Sequence, residues 1–195
     1  MTKWQKFCLG WAVFSFCVKL VSLLVSTGRD RSDLTSYKET EPPRKEPIAF
    51  EICSVKKQAI VDGDTMRVTC GDRELTLHIC GVDAPEIEQP LGIEARDYLR
   101  SLLSEEETIL VSAFDRNAEG DLIAHVTAGD AEFIHEKMVR SGMAWYDEKF
   151  SEICPASGLL AIAAKSAKAG KLGVHGDPNA VTPWEWRETR ESDVQ

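Results

Sequence analysis

At 195 residues, with 32 acidic against 23 basic side chains, the chain has a formal net charge of −9. That balance disfavours a protein that coats nucleic acid along a dense basic stripe, because phosphate neutralisation supplies most of such affinity. The imbalance deepens along the chain: the first 27 residues hold Lys3, Lys6 and Lys19 and no acid, which leaves 20 basic against 32 acidic residues beyond them.

The first element is the apolar run Phe7–Ser26, whose single charge is Lys19. About 20 such residues suffice to cross a bilayer core as a helix. Trp4 and Trp11 with Lys3 and Lys6 suit an interfacial flank. We read residues 1–27 as an uncleaved anchor that ties the chain to a membrane and leaves the remainder outside the cytoplasm. The alternative is a cleaved signal peptide and a secreted product; Ser26 and Gly28 are small, but no Ala-x-Ala pattern is present. Residues 28–47 are polar, charged and proline-containing, and read as a disordered linker. A folded domain is expected over 48–186, followed by a charged tail over 187–195.

Within the domain, strands are predicted near 50–61, 65–70 and 74–82. In the second, Met66, Val68 and Cys70 alternate with Thr65, Arg67 and Thr69, and Leu75, Leu77 and Ile79 continue the alternation in the third. Asp62-Gly63 is a turn signal between the first two. The third ends at Val82-Asp83-Ala84-Pro85-Glu86, where proline stops the ladder. A helix is predicted near 91–103, with Ala95, Tyr98, Leu99, Leu102 and Leu103 on one face. Strands near 108–114 and 122–127 and helices near 130–141 and 157–169 complete the series. Trp184-Glu185-Trp186 reads as an aromatic clamp that packs the terminus on the domain.

Asp62, Asp64, Asp83 and Glu86 fall at two strand ends. Crowded carboxylates repel one another unless a cation lies between them, and such hard oxygen ligands suit calcium or magnesium. Four cysteines lie beyond the apolar run. Cys53 and Cys70 stand within about two residues of opposition in a simple hairpin, and a bulge would align them. Cys80 and Cys154 form the remaining pair. Buried free thiols are the alternative, and an exported chain favours disulfides.

These blocks resemble the staphylococcal-nuclease (thermonuclease) family. The resemblance runs from about Ile52 to Leu172 and rests on Val61-Asp62-Gly63-Asp64-Thr65, Gly81-Val82-Asp83-Ala84-Pro85-Glu86, the Leu122–Val126 strand and Glu136–Ala144. It implies an α+β fold: a five-stranded barrel of the oligonucleotide/oligosaccharide-binding (OB) type with three helices. It implies calcium held by Asp64, Asp83 and the backbone carbonyl of Ala84, with Glu86 activating the attacking water. Two family arginines would direct charge at the phosphate, but His78 and Asp121 stand in their places. Arg67 and Arg116 are nearby in sequence and could reach the site. The expected function is that of a membrane-tethered or exported calcium-dependent phosphodiesterase of nucleic acids, its activity weak or lost because both arginines are replaced. The alternative is a non-catalytic OB-fold binding or adaptor module. Nucleic acid is a partner that the net charge disfavours, the membrane is a partner through residues 7–26, and no protein partner is indicated.

Overall fold

A computed structural model describes residues 46–129, 132–155 and 157–192. The apolar run 7–26 and most of the linker lie outside these residues. Among the described residues no helix is long and apolar enough to cross a membrane.

The strands are β1 (Ala49–Lys56), β2 (Thr65–Cys70), β3 (Arg73–Ile79), β4 (Val82–Asp83), β5 (Glu106–Arg116), β6 (Leu122–Ala128), β7 (Glu132–Phe133) and β8 (Trp145–Tyr146). The helices are α1 (Gly92–Ser101), α2 (Ile134–Arg140), α3 (Ser157–Ala169) and α4 (Pro183–Ser192). β1 lies between β2 and β5, β3 pairs with β2, and β6 pairs with β5. A parallel pairing of β3 with β6, Leu77 to Leu122 and His78 to Ile123, closes the ring. The result is the five-stranded barrel expected of the α+β fold, and closure removes the edges that an open sheet would expose. The expected three helices are corrected to four among the described residues, since α4 follows the three predicted ones.

Alternation fills the barrel as the sequence requires. Met66, Val68 and Cys70 of β2 are buried while Arg67 and Thr69 are exposed. Leu77 and Ile79 of β3 meet Ile109, Val111 and Ala113 of β5 in one core. Ala95 and Leu99 bring α1 onto it, and Met138, Val139, Leu160 and Ala163 bring α2 and α3.

Both expected disulfides are present, Cys53–Cys70 with Cα atoms 4.3 Å apart and Cys80–Cys154 with Cα atoms 5.7 Å apart. The first depends on an irregularity. Ser54 opposes Thr69, whereas Ile60 bridges to Met66. Between these pairs the first strand takes six steps and the second takes three. The 3₁₀ turn Lys57–Ala59 absorbs the difference and sets Cys53 beside Cys70. The second disulfide closes a separation of 74 residues, and in the chain-entropy model a loop of that length is stabilised by about 4 kcal/mol. It holds the end of β3 to the loop before α3.

Candidate active site

The Asp62-Gly63-Asp64 turn opens the site. The Asp62 carboxylate accepts from the backbone N–H of Asp64 at 3.0 Å and of Thr65 at 2.7 Å. This caps the turn and starts β2. Gly63 is required for close approach, since a Cβ there would lie 2.6 Å from the Ala84 Cβ and 2.8 Å from the Ala95 Cβ. The turn is thereby pressed between the strand β4 exit and α1. The Asp64 carboxylate is buried and accepts from the Thr65 hydroxyl at 2.9 Å and the Ala84 N–H at 2.5 Å. Burial, followed by the charges of Asp62 and Asp83, raises its pKa well above the usual carboxylate range.

Asp83 is carried in by β4, which pairs with β8 so that Asp83 opposes Trp145. Glu86 follows on a loop whose shape depends on Gly92, because a Cβ at Gly92 would fall 1.8 Å from the Glu86 carbonyl oxygen. The Glu86 N–H donates to the Gln89 side-chain oxygen at 3.2 Å. Asp64, Asp83 and Glu86 together line a cleft of about 400 Å³. The sequence placed these three at strand ends, and the structure brings them to one cavity.

His78 also lines the cleft, but Asp121 is not among its lining residues. The two are joined: His78 Nε2 lies 3.3 Å from the Asp121 carboxylate, and its Nδ1 lies 3.1 Å from the Thr65 hydroxyl. The residues at both family arginine positions therefore face each other. Arg116 donates to the Gly120 carbonyl at 2.5 Å and holds its own turn. Arg67 is on the exposed face of β2.

The residue that sequence reasoning missed is Arg187. It was expected in a charged tail, but α4 continues past Trp186 to Ser192 and brings the guanidinium into the cleft. Nη2 donates to Asp83 Oδ2 at 2.7 Å, and Nη1 donates to Asp83 Oδ1 at 3.0 Å and to Glu86 Oε1 at 2.7 Å. These bonds, Asp83 first, raise the Arg187 pKa further. A signal for α4 was available. Thr182-Pro183-Trp184-Glu185 is a capping box with proline at the first helical position, and both the Thr182 N–H and hydroxyl donate to the Glu185 carboxylate.

In this arrangement the carboxylates expected to hold calcium are met by donors of the chain itself. Both Asp83 oxygens accept from Arg187, and both Asp64 oxygens accept from Thr65 and Ala84. Ala84 contributes its N–H to the site. Among the described residues no group of three or more His, Cys, Asp or Glu side chains is disposed to hold a metal ion.

The model of the family described as staphylococcal nuclease homologue matches residues 76–175. The chain belongs to the staphylococcal-nuclease family. An uncharacterized endonuclease of Escherichia coli O157:H7 is 30% identical over 128 residues, covering 66% of this chain and 80% of that protein. A micrococcal nuclease of Shigella flexneri is 31% identical over 136 residues, covering 66% of this chain and 76% of its own length. A probable staphylococcal-like nuclease of Oryza sativa subsp. japonica is 26% identical over 125 residues, which is 62% of this chain but 32% of that longer protein. The matched family region includes His78, Asp83, Glu86 and Asp121 and stops short of α4. Arg187 thus comes from outside the part of the chain that the family model covers.

Proposed function

We propose that the domain is a slow nuclease that hydrolyses phosphodiester bonds of nucleic acid in the carboxylate cleft. The observation that carries this reading is the convergence of Asp64, Asp83 and Glu86 on one cavity. Glu86 is the most exposed of the three, so water can reach its carboxylate. It takes the proton as the water oxygen bonds to phosphorus, while the bond from phosphorus to the leaving sugar oxygen breaks and that oxygen is protonated by solvent. Rate in such a reaction depends on charge directed at the phosphoryl oxygens, and one donor is typically worth about a hundred- to a thousand-fold. His78 turns Nε2 to Asp121 and Nδ1 to the Thr65 hydroxyl, and neither position supplies a guanidinium, which supports low turnover.

We further propose that the domain acts outside the cytoplasm on an anchor formed by residues 7–26. Support comes from the apolar run itself and from two disulfides, which persist in oxidising compartments. Carbonate extraction of membranes should leave the chain in the pellet; a soluble product starting near Arg29 would indicate cleavage instead.

The functional test is hydrolysis of DNA and RNA by the full chain with and without millimolar calcium. Slow cleavage is expected, and His78→Arg combined with Asp121→Arg should raise it about tenfold or more, because guanidinium donors match phosphate oxygens. No cleavage by either protein, with folding intact, would overturn the nuclease reading and leave the binding-module alternative.

A further inference from the structure

The cleft carboxylates already have a cation, and it belongs to the chain. Arg187 makes three charge-assisted hydrogen bonds to Asp83 and Glu86. Two more contacts fasten the segment that carries it to the same loop. Gln89 Nε2 donates to the Val181 carbonyl at 2.6 Å, just before α4, and Arg190 pairs with Glu88 farther along the helix. The loop that presents Glu86 is therefore tied to α4 at Glu86 and Glu88, and to the segment just before it at Gln89. The partner residues, Val181, Arg187 and Arg190, all lie beyond the region that the family model covers. The contacts made by Arg187 and Arg190 are side-chain contacts on a partly exposed helix, so they can break without disturbing the barrel core.

We infer that α4 is a built-in competitor for the divalent cation: while it is docked, Arg187 holds Asp83 and Glu86 closed, and a cation reaches them only when the helix lets go. This rests on the nuclease-site reading of those carboxylates and adds a regulatory element to it. The physical reason is mutual exclusion. Arg187 takes both Asp83 oxygens and one Glu86 oxygen, which leaves a metal weaker ligands there, and the two positive charges would repel each other across the half-buried cleft. Linkage then requires reciprocity: whatever the helix takes from cation affinity, the cation takes from helix docking.

The experiment is calcium titration calorimetry on the full chain, paired with hydrogen exchange of the α4 amides. Arg187→Gln should tighten calcium binding by about tenfold or more, given the strength of charge-assisted pairs. Glu88→Arg supplies the control, because Glu88 does not line the cleft. It adds positive charge near the site, so simple electrostatics predicts weaker calcium binding. The inference predicts tighter binding, by about two- to fivefold, because the substitution sets like charges together at Arg190 and loosens the helix. In the wild-type chain, saturating calcium should speed exchange across Pro183–Ser192. Equal calcium affinity in wild type and Arg187→Gln, or weaker binding in Glu88→Arg, or α4 exchange unmoved by calcium, would each overturn the inference. Tighter binding in both variants without any nucleic-acid cleavage would uphold the competition and sink the nuclease reading.

Discussion

The carboxylate cleft and the histidine pair His125–His135 both remove titratable groups from water, and they partner those groups in opposite ways. In the cleft, Arg187 meets the buried Asp83 carboxylate from a helix 104 positions away in sequence. In the pair, the rings meet edge to face with centroids 4.2 Å apart, flanked by Phe133. His125 Nε2 and His135 Nδ1 have no hydrogen-bond partner. Burial, with the neighbouring His125 as the second cause, pushes His135 down to about 3, and burial lowers His125 as well. One region sets a counter-charge against its carboxylates; the other leaves its rings without a polar partner and packs them as an aromatic cluster. Buried ionisable groups have these two outcomes, since an unpaired buried charge is too costly. Only the first kind of region is suited to chemistry.

The largest effect that would sharpen the contrast is on turnover. Glu86→Gln should lower phosphodiesterase activity by about a hundred-fold or more, the usual worth of a general base, whereas His125→Phe should change it less than about twofold. Comparable losses in both would erase the distinction drawn between the regions.

The next effect is on stability in acid. The folded pKa of His135, about 3, lies below its ordinary 6.5, so between these values the unfolded chain binds the extra proton. The contribution is fully present above pH 6.5 and is lost as pH falls towards 3, by up to about 1.4 kcal/mol per pH unit. Urea unfolding at pH 7 and pH 5 should show a steep loss, and His135→Phe should flatten it. An unchanged slope would mean that the ring is not held neutral.

A smaller effect of opposite sign belongs to Asp64. Its pKa is raised by burial and by Asp62 and Asp83. A carboxylate shifted this way contributes stability below its unfolded value, and that contribution is lost as pH rises through the folded one. Once ionised, the group therefore opposes folding. Asp64→Asn can still accept from the Ala84 N–H and donate to the Thr65 hydroxyl, and should stabilise the fold by about 1 kcal/mol while reducing activity. A lower melting temperature would show that the charge is needed structurally. Smallest of all is the surface pair Glu136–Arg140, four apart on α2. Glu136→Ala should cost only about 0.5 kcal/mol, a yardstick for an ion pair that belongs to neither region.

Much of this protein was legible in its sequence because the determining interactions are local. Alternation at Met66, Val68 and Cys70 follows from the strand period of two, and it placed the barrel wall correctly. The Asp62-Gly63-Asp64 and Asp83–Glu86 runs are short-range turn and strand-end signals, so the carboxylates that line the cleft could be named residue by residue. Tertiary structure alone decided the rest. The Cys53–Cys70 alignment needed a 3₁₀ turn that absorbs three residues, a backbone adjustment that composition does not encode. His78 and Asp121 stand 43 positions apart, and the parallel β3–β6 closure brings them together. Arg187 reads locally as one more charge near a chain end; its capping box announces a helix but not where that helix docks. Which carboxylate a guanidinium reaches across about a hundred residues depends on packing of the whole domain, because a long-range ion pair forms only where the fold has already placed both partners.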